Sequence, residues 1–188
     1  SDGINIIRGE PNYRRVWLDK VISQLEPVYF ELLSRYNKLL RQRSFFWRSN
    51  ISDNDQSKYL LESFDSQIAL IGTRILRRRR RALEKLKPII QYWHDYLSKA
   101  KENIDLNYSS NMVIINNDDE QTIINNFIEE LSNQRELEAL TGRCNVGPHR
   151  DDIEFFINNI SIRKFGSAGQ RRTITLALKM AELDLLKK

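Results

Sequence analysis

Between residues 57 and 87, apolar side chains return every third or fourth position: Leu61, Phe64, Ile68, Ile71, Ile75, Ala82 and Leu86. That period belongs to an α-helix with one buried stripe. At a rise of about 1.5 Å per residue the helix is roughly 45 Å long, more than a compact small domain accommodates alone. It therefore requires an antiparallel neighbour along its seam. Residues 27–48 supply the candidate: Pro27 suits a first helical turn, where its missing N–H costs nothing. Val28, Leu32, Leu33, Tyr36, Leu39 and Leu40 follow at helical spacing. A further helix is expected from Asn12, with Val16, Leu18, Val21, Ile22 and Leu25 inward. Pro88 is expected to break or kink the long helix, after which Ile89, Trp93, Tyr96, Leu97 and Ala100 resume a stripe.

The texture changes after Ala100. Ile104, Leu106 and Tyr108 alternate with polar residues, as in a half-buried strand. Residues 120–140 return to helix, with Ile124, Phe127, Ile128 and Leu131 inward. Ile153, Phe155 and Ile157 alternate, Asn158 and Asn159 make a tight turn, and Ile160 and Ile162 alternate back. The expected class is α+β: a helical arm joined to a small antiparallel β layer. Three stretches follow: an extended lead-in over 1–11, the arm over 12–100 and a β/α lobe over 101–188. The chain starts at Ser1 and ends in a helical pattern at Lys188, so an excerpt of a longer protein is expected.

Composition excludes several classes. One cysteine, Cys144, precludes an internal disulfide and fits a reducing compartment, here the cytoplasm. With only His94 and His149 beside it, neither a cysteine nucleophile nor a zinc site is expected. No apolar run approaches the ~20 residues of a membrane span. Residues 1–98 carry 18 Lys and Arg against 11 Asp and Glu, whereas 99–188 carry 12 against 14. The basic excess of the first half points to a polyanion. Within the run Arg77 to Arg81 the five side chains cannot share one helix face, but Arg74, Arg78, Arg81 and Lys85 align at threes and fours. They are the candidate DNA-binding stripe; the plainer reading is a solvated face.

Phe165-Gly166-Ser167-Ala168-Gly169-Gln170-Arg171-Arg172-Thr173 opens the last helical run. A serine between glycines at a helix start offers unpaired amides and partial positive charge, which suit a phosphate. No G-x-x-x-x-G-K-[ST] loop accompanies it, and none of the seven glycines precedes a lysine. The run Met112-Val113-Ile114-Ile115 is no Walker B strand, since Asn116 and Asn117 separate it from Asp118 and Asp119. The adjacent carboxylates Asp151 and Asp152, on an extended segment, point to opposite faces and make no acid/base pair. Asp152 is expected to lead into a strand, with Arg150 and Asp151 paired to neighbours and His149 in a structural or interdomain role.

The string 165–173 resembles the signature loop of ABC-type ATPases. Gly147-Pro148-His149-Arg150-Asp151-Asp152 and the opening run from Ile6-Ile7-Arg8-Gly9-Glu10-Pro11 to Asp19 resemble the RecF family of bacterial DNA replication and repair proteins. So does Ala-Leu-Lys-Met-Ala-Glu-Leu at 177–183, with Tyr36-Asn37 and Arg41-Gln42-Arg43. Glu10, Trp17, Ala168 and Arg171 depart from the family pattern. The resemblance implies the signature-bearing second domain of an SMC-like ABC ATPase, lacking Walker A and Walker B. It would act in recombinational repair, replication and the SOS response by loading recombinase at single-strand gaps.

By the same resemblance Ser167 and Gly169 contact the γ-phosphate of ATP on an opposing subunit. Gln170 lies near the nucleotide, and Arg171 or Arg172 adds charge. ATP with Mg2+ is then a cofactor of the full-length dimer, a weak DNA-dependent ATPase, and not of this stretch alone. Implied partners are DNA, the P-loop lobe of the same protein, a second copy and recombination mediators, with no membrane. The rival expectation is a helical-arm module that docks protein or DNA without nucleotide chemistry.

Overall fold

The computed structural model of the chain describes residues 2–49, 54–112 and 119–187. Eight α-helices and three strands occur among them: α1 Asp2–Arg8, α2 Pro11–Leu25, α3 Pro27–Arg48, α4 Asp55–Leu97, β1 Ile104–Ser109, α5 Glu120–Asn133, α6 Arg135–Thr141, β2 Asp152–Ile157, β3 Ile160–Ser161, α7 Ile162–Phe165 and α8 Ala168–Leu186. The class is α+β, helices with one small antiparallel sheet, as expected. Two compact units form, each from separate stretches of chain. Unit 1 comprises Ser1–Glu26, Arg78–Ser109 and Asp151–Lys188, and unit 2 comprises Pro27–Arg77 and Ser110–Arg150. The stretches 12–100 and 101–188 thus do not map one to one onto compact units.

Unit 1 is built on the sheet β1-β2-β3, antiparallel throughout. Ile104 stands opposite Ile157, Leu106 opposite Phe155 and Tyr108 opposite Ile153. The alternation puts Ile104, Leu106, Ile153, Phe155 and Ile157 on the buried face. Asn158 and Asn159 both adopt left-handed φ, at 49° and 65°, the pair of values a two-residue hairpin turn needs. Helix α2 packs on the sheet, and α1 and α8 pack on each other and on α2. Trp17 meets Phe155 with ring centroids 6.2 Å apart, and α8 contributes Ile174, Ala177, Leu178, Ala181 and Leu185.

Unit 2 is helical. Residues 27–48 form α3 with the expected bounds, and α3 lies antiparallel to the first half of α4. Phe46 meets Phe64, Arg43 pairs with Asp65, and Tyr36 reaches Gly72, so one index falls as the other rises. Phe127 of α5 closes against the same glycine.

Several expectations fail locally, for tertiary reasons. Residues 2–8 are helical instead of extended. The Gly9 amide donates to the Asn5 carbonyl, and Arg14 of α2 donates to the carbonyls of Ile6, Ile7 and Gly9. That cap is supplied from the next helix and leaves no mark in the local pattern. Pro88 does not end α4. It lies on the exposed face, while Leu83, Leu86, Ile90 and His94 continue the buried stripe. A proline inside a helix costs about 3 kcal/mol, less than the burial of three large aliphatic side chains at about 2 kcal/mol each. The stripe therefore runs through Ile90 and His94 instead of Tyr96 and Leu97, which are exposed. Residues 120–140 are two helices separated at Gln134, and Val16, Leu25 and Val28 face outward. The hairpin's return strand is two residues long before the chain turns into α7. Within the run 112–118 only Met112 is among the described residues, and it is buried.

Candidate nucleotide-facing loop

The signature-like string begins in α7, passes the extended residue Gly166 and enters α8 at Ser167. Ser167 is the N-cap. Its Oγ accepts the Gln170 amide at 3.1 Å, and Gln170 Oε1 accepts the Ser167 amide at 2.9 Å. This reciprocal capping box satisfies two of the donors that a helix start leaves open. The next two amides, of Ala168 and Gly169, make no hydrogen bond among the described residues, and Ser167, Ala168 and Gly169 are exposed. Since Ser167 Oγ is an acceptor within the cap, its own proton is available to an outside acceptor. Two amides and one hydroxyl at the positive end of a 19-residue helix thus form a donor set for an anion.

Gly169 is not required by the chain's own packing. A Cβ there would meet only Ser167 Oγ, at 3.9 Å. What a side chain at 169 would obstruct is the approach of something from outside. Gln170 and Arg171 are both engaged within the chain. The Gln170 amide is engaged at both ends: Oε1 by the cap and Nε2 by Glu102 Oε2 at 3.2 Å. Arg171 turns back to the carbonyls of Ile162 and Arg163, at 3.4 and 3.3 Å, and braces the α7–α8 junction. Arg172 is exposed.

The string 147–152 is divided between the units. In unit 2, His149 is held at both nitrogens: Nδ1 by the Tyr36 hydroxyl at 2.8 Å and Nε2 by the Cys144 carbonyl at 2.7 Å. Arg150 Nε donates to the same carbonyl. In unit 1, buried Asp151 accepts from the Tyr108 hydroxyl at 2.7 Å, and its carbonyl accepts from Arg15. Asp152 starts β2 and takes two bonds from Arg14, 2.6 and 3.1 Å. These side chains hold structure together and form no acid/base pair. Burial pushes the Tyr108 hydroxyl well above its ordinary range, so it acts as a neutral donor. Burial likewise raises the Cys144 thiol to about 11, and its Sγ leans on the Val146 carbonyl. Such a thiol is a weak nucleophile.

The arginines of α4 are dispersed by their partners. In unit 2, Arg74 and Arg77 flank Glu120, at 3.6 and 2.6 Å. In unit 1, Arg78 pairs with Glu26 at 3.0 Å. Arg79, only 3 % exposed, clamps Asp19 with two bonds and reaches the Tyr108 hydroxyl. Arg81 and Lys85 are exposed and make no ion pair among the described residues. Of the four candidate DNA-contacting residues, these two present unneutralised charge.

Three buried arginines escaped the sequence reading: Arg14, Arg43 and Arg79. Arg43 is fully buried and binds Glu138 through two bonds, 2.7 and 3.0 Å, and also Asp65, which Arg135 secures at 2.6 Å. The signal existed. Arg43 follows Leu39 by four and precedes Phe46 by three, and Arg79 stands likewise between Ile75 and Ala82. A cation at a core position of an apolar stripe requires a buried carboxylate partner. Glu102 was also missed, for it lies in a polar stretch with no periodic cue.

Fold and loop define the class: an α+β segment of helices with one small antiparallel sheet, whose last helix opens on a serine N-cap. Comparison with known proteins gives the family. The chain is 47% identical over 183 residues to the DNA replication and repair protein RecF of Synechococcus sp. (strain CC9605), covering 97% of this chain and 50% of that protein. It is 46% identical to RecF of Parasynechococcus marenigrum (strain WH8102) over 184 residues, with the same coverage of each. Among solved structures it matches the recombination mediator protein RecF-ATP of the RecFOR pathway, with a TM-score of 0.91 and 32% identity over 99% of this chain and 49% of that one. No family model matches. The chain belongs to the RecF family and spans about half the length of the curated relatives it matches. Among the described residues no helix is long and apolar enough to cross a membrane.

Proposed function

We propose that this chain supplies the signature-loop half of a composite ATP site in a RecF-type DNA-repair ATPase, completing in trans the site of a second copy. The observation that carries the reading is the pair of unbonded, outward amides at Ala168 and Gly169 beside the free proton of Ser167. That donor set fits the terminal phosphate of a nucleoside triphosphate held elsewhere with its Mg2+. When bound, ATP supplies the anionic γ-phosphate that draws two copies together. Ser167 and Gly169 are the contacting residues. Gln170 and Arg171, occupied within the chain, hold the loop in shape.

Arg81 and Lys85 are the cations best placed on α4 for a DNA backbone, with Arg74 and Arg78 flanking them on the same stripe but each tied to a glutamate. Contact with recombination mediators is supported by the relatives' place in the RecFOR pathway. The test is association of the full-length protein measured by sedimentation with and without ATP and Mg2+. Ser167→Arg fills the donor set with a bulky cation and is expected to abolish ATP-dependent dimers, while loss of the helix cap lowers stability by only about 1 kcal/mol and leaves the protein folded. Dimerisation that persists in a folded Ser167→Arg protein refutes the proposal.

A further inference from the structure

The capping box of α8 depends on the orientation of one amide. If the Gln170 side chain were turned end for end, its NH2 would face the Ser167 N–H. Two donors would then oppose each other, and the cap would open. The chain contains a group that forbids this turn. Glu102, an acceptor only, takes Gln170 Nε2 at 3.2 Å and so fixes Oε1 toward Ser167.

Glu102 is itself anchored. Gln91 of α4 donates to the Glu102 carbonyl at 2.9 Å and accepts the Ile104 amide at 2.7 Å, pinning residues 102–104 to the helix. A second polar neighbour of the carboxylate is the buried His94, whose Nε2 stays 4.0 Å away. Burial holds His94 below the ordinary histidine value, hence neutral. The Glu102 charge is therefore directed to Gln170 instead of a buried ion pair.

We infer that Glu102 is a positioning residue for the nucleotide-facing loop: through Gln170 it holds Ser167 as a hydrogen-bond acceptor toward its own helix and a donor toward the γ-phosphate. The inference rests on the proposed in-trans site. It adds to that site a carboxylate 65 positions upstream of Ser167, reached through the end of α4.

The experiment measures the ATPγS concentration, with Mg2+ present, at half-maximal dimerisation of the full-length protein. Losing a hydrogen bond to a charged acceptor at a partly exposed site is expected to raise this midpoint about fivefold in Glu102→Ala. Glu102→Gln keeps an acceptor oxygen and is expected to stay within twofold of the parent protein. Gln170→Ala should resemble Glu102→Ala, and the double variant should be no worse than Gln170→Ala, because both act through one bond. An unchanged midpoint in Glu102→Ala overturns the inference, as does multiplication of the two effects in the double variant or failure of Glu102→Gln to restore binding. Should Glu102→Ala fold poorly, the Gln170→Ala and Glu102→Gln comparison decides alone. Ser167→Arg runs in parallel: if it dimerises normally the composite site itself falls, a result distinct from a normal Glu102→Ala beside an inert Ser167→Arg.

Discussion

Arg43 offers the sharpest test of what holds unit 2 together. Its guanidinium has no exposure, and the two carboxylates it serves are 2 and 3 % exposed. Burial opposes the charge, but the hydrogen bonds and field of Glu138 and Asp65 outweigh it, so its pKa stands above the usual arginine value. Replacing Arg43 with Met keeps most of the stem volume and removes every donor. Asp65 retains Arg135, whereas Glu138 loses both of its bonds to Arg43. Breaking one side of a buried pair costs about 4 kcal/mol. With a urea slope of about 2 kcal/mol per molar, the midpoint of unit 2 falls by about 2 M. The assay is urea unfolding followed by Trp47 fluorescence in a Trp17→Phe, Trp93→Phe background, since those two tryptophans belong to unit 1. Arg43→Met combined with Glu138→Leu removes both charges at similar volume and is expected to recover most of the loss. A midpoint shift below about 0.5 M for Arg43→Met alone would refute the view that this ion cluster is balanced by mutual pairing.

Two glycines are expected to respond in opposite ways. At Gly147, where φ is +126° and a Cβ would lie 2.2 Å from the Tyr36 hydroxyl oxygen, Ala should destabilise by about 3 kcal/mol in a calorimetric melt; at Gly169 it should leave the melt unchanged and weaken ATP-driven dimerisation. Cys144, with its thiol raised to about 11, is almost wholly protonated at pH 8. Its alkylation by iodoacetamide there should be at least ~100-fold slower than that of a cysteine peptide with a pKa near 8.5, and should accelerate as pH approaches 11. A rate equal to the peptide's at pH 8 would contradict the burial assigned to this thiol.

What the sequence revealed and what it concealed divide along a physical line. The bounds of α3, the Asn158–Asn159 turn and the start of α8 after Ser167 were legible because proline, asparagine and periodicity act within a few residues. The antiparallel match of α3 with α4 followed from the length of the α4 stripe. The helical nature of residues 2–8 was hidden, since the donor that completes α1 is Arg14 and its carboxylate lies 138 positions away at Asp152. The arginine run misled for the same reason. Its members look alike along the chain, yet Asp19 takes Arg79 inward over 60 positions while Arg81 stays outside. At the loop, residue type alone singled out Ser167 and Gly169 as candidates. The bond from Gln170 to Glu102 was not legible, because the two lie 68 positions apart.

Unit 1 is assembled from the first, middle and last stretches of the chain, and the Arg14–Asp152 clamp joins the earliest of them to one of the latest. A ribosome releasing this polypeptide delivers all of unit 2 by residue 150, before the β2 strand has emerged. The helical unit can therefore settle first, while α1 and α2 wait for β2 and α8 to arrive. Chaperone dependence and premature-stop toxicity should concentrate in that interval of synthesis.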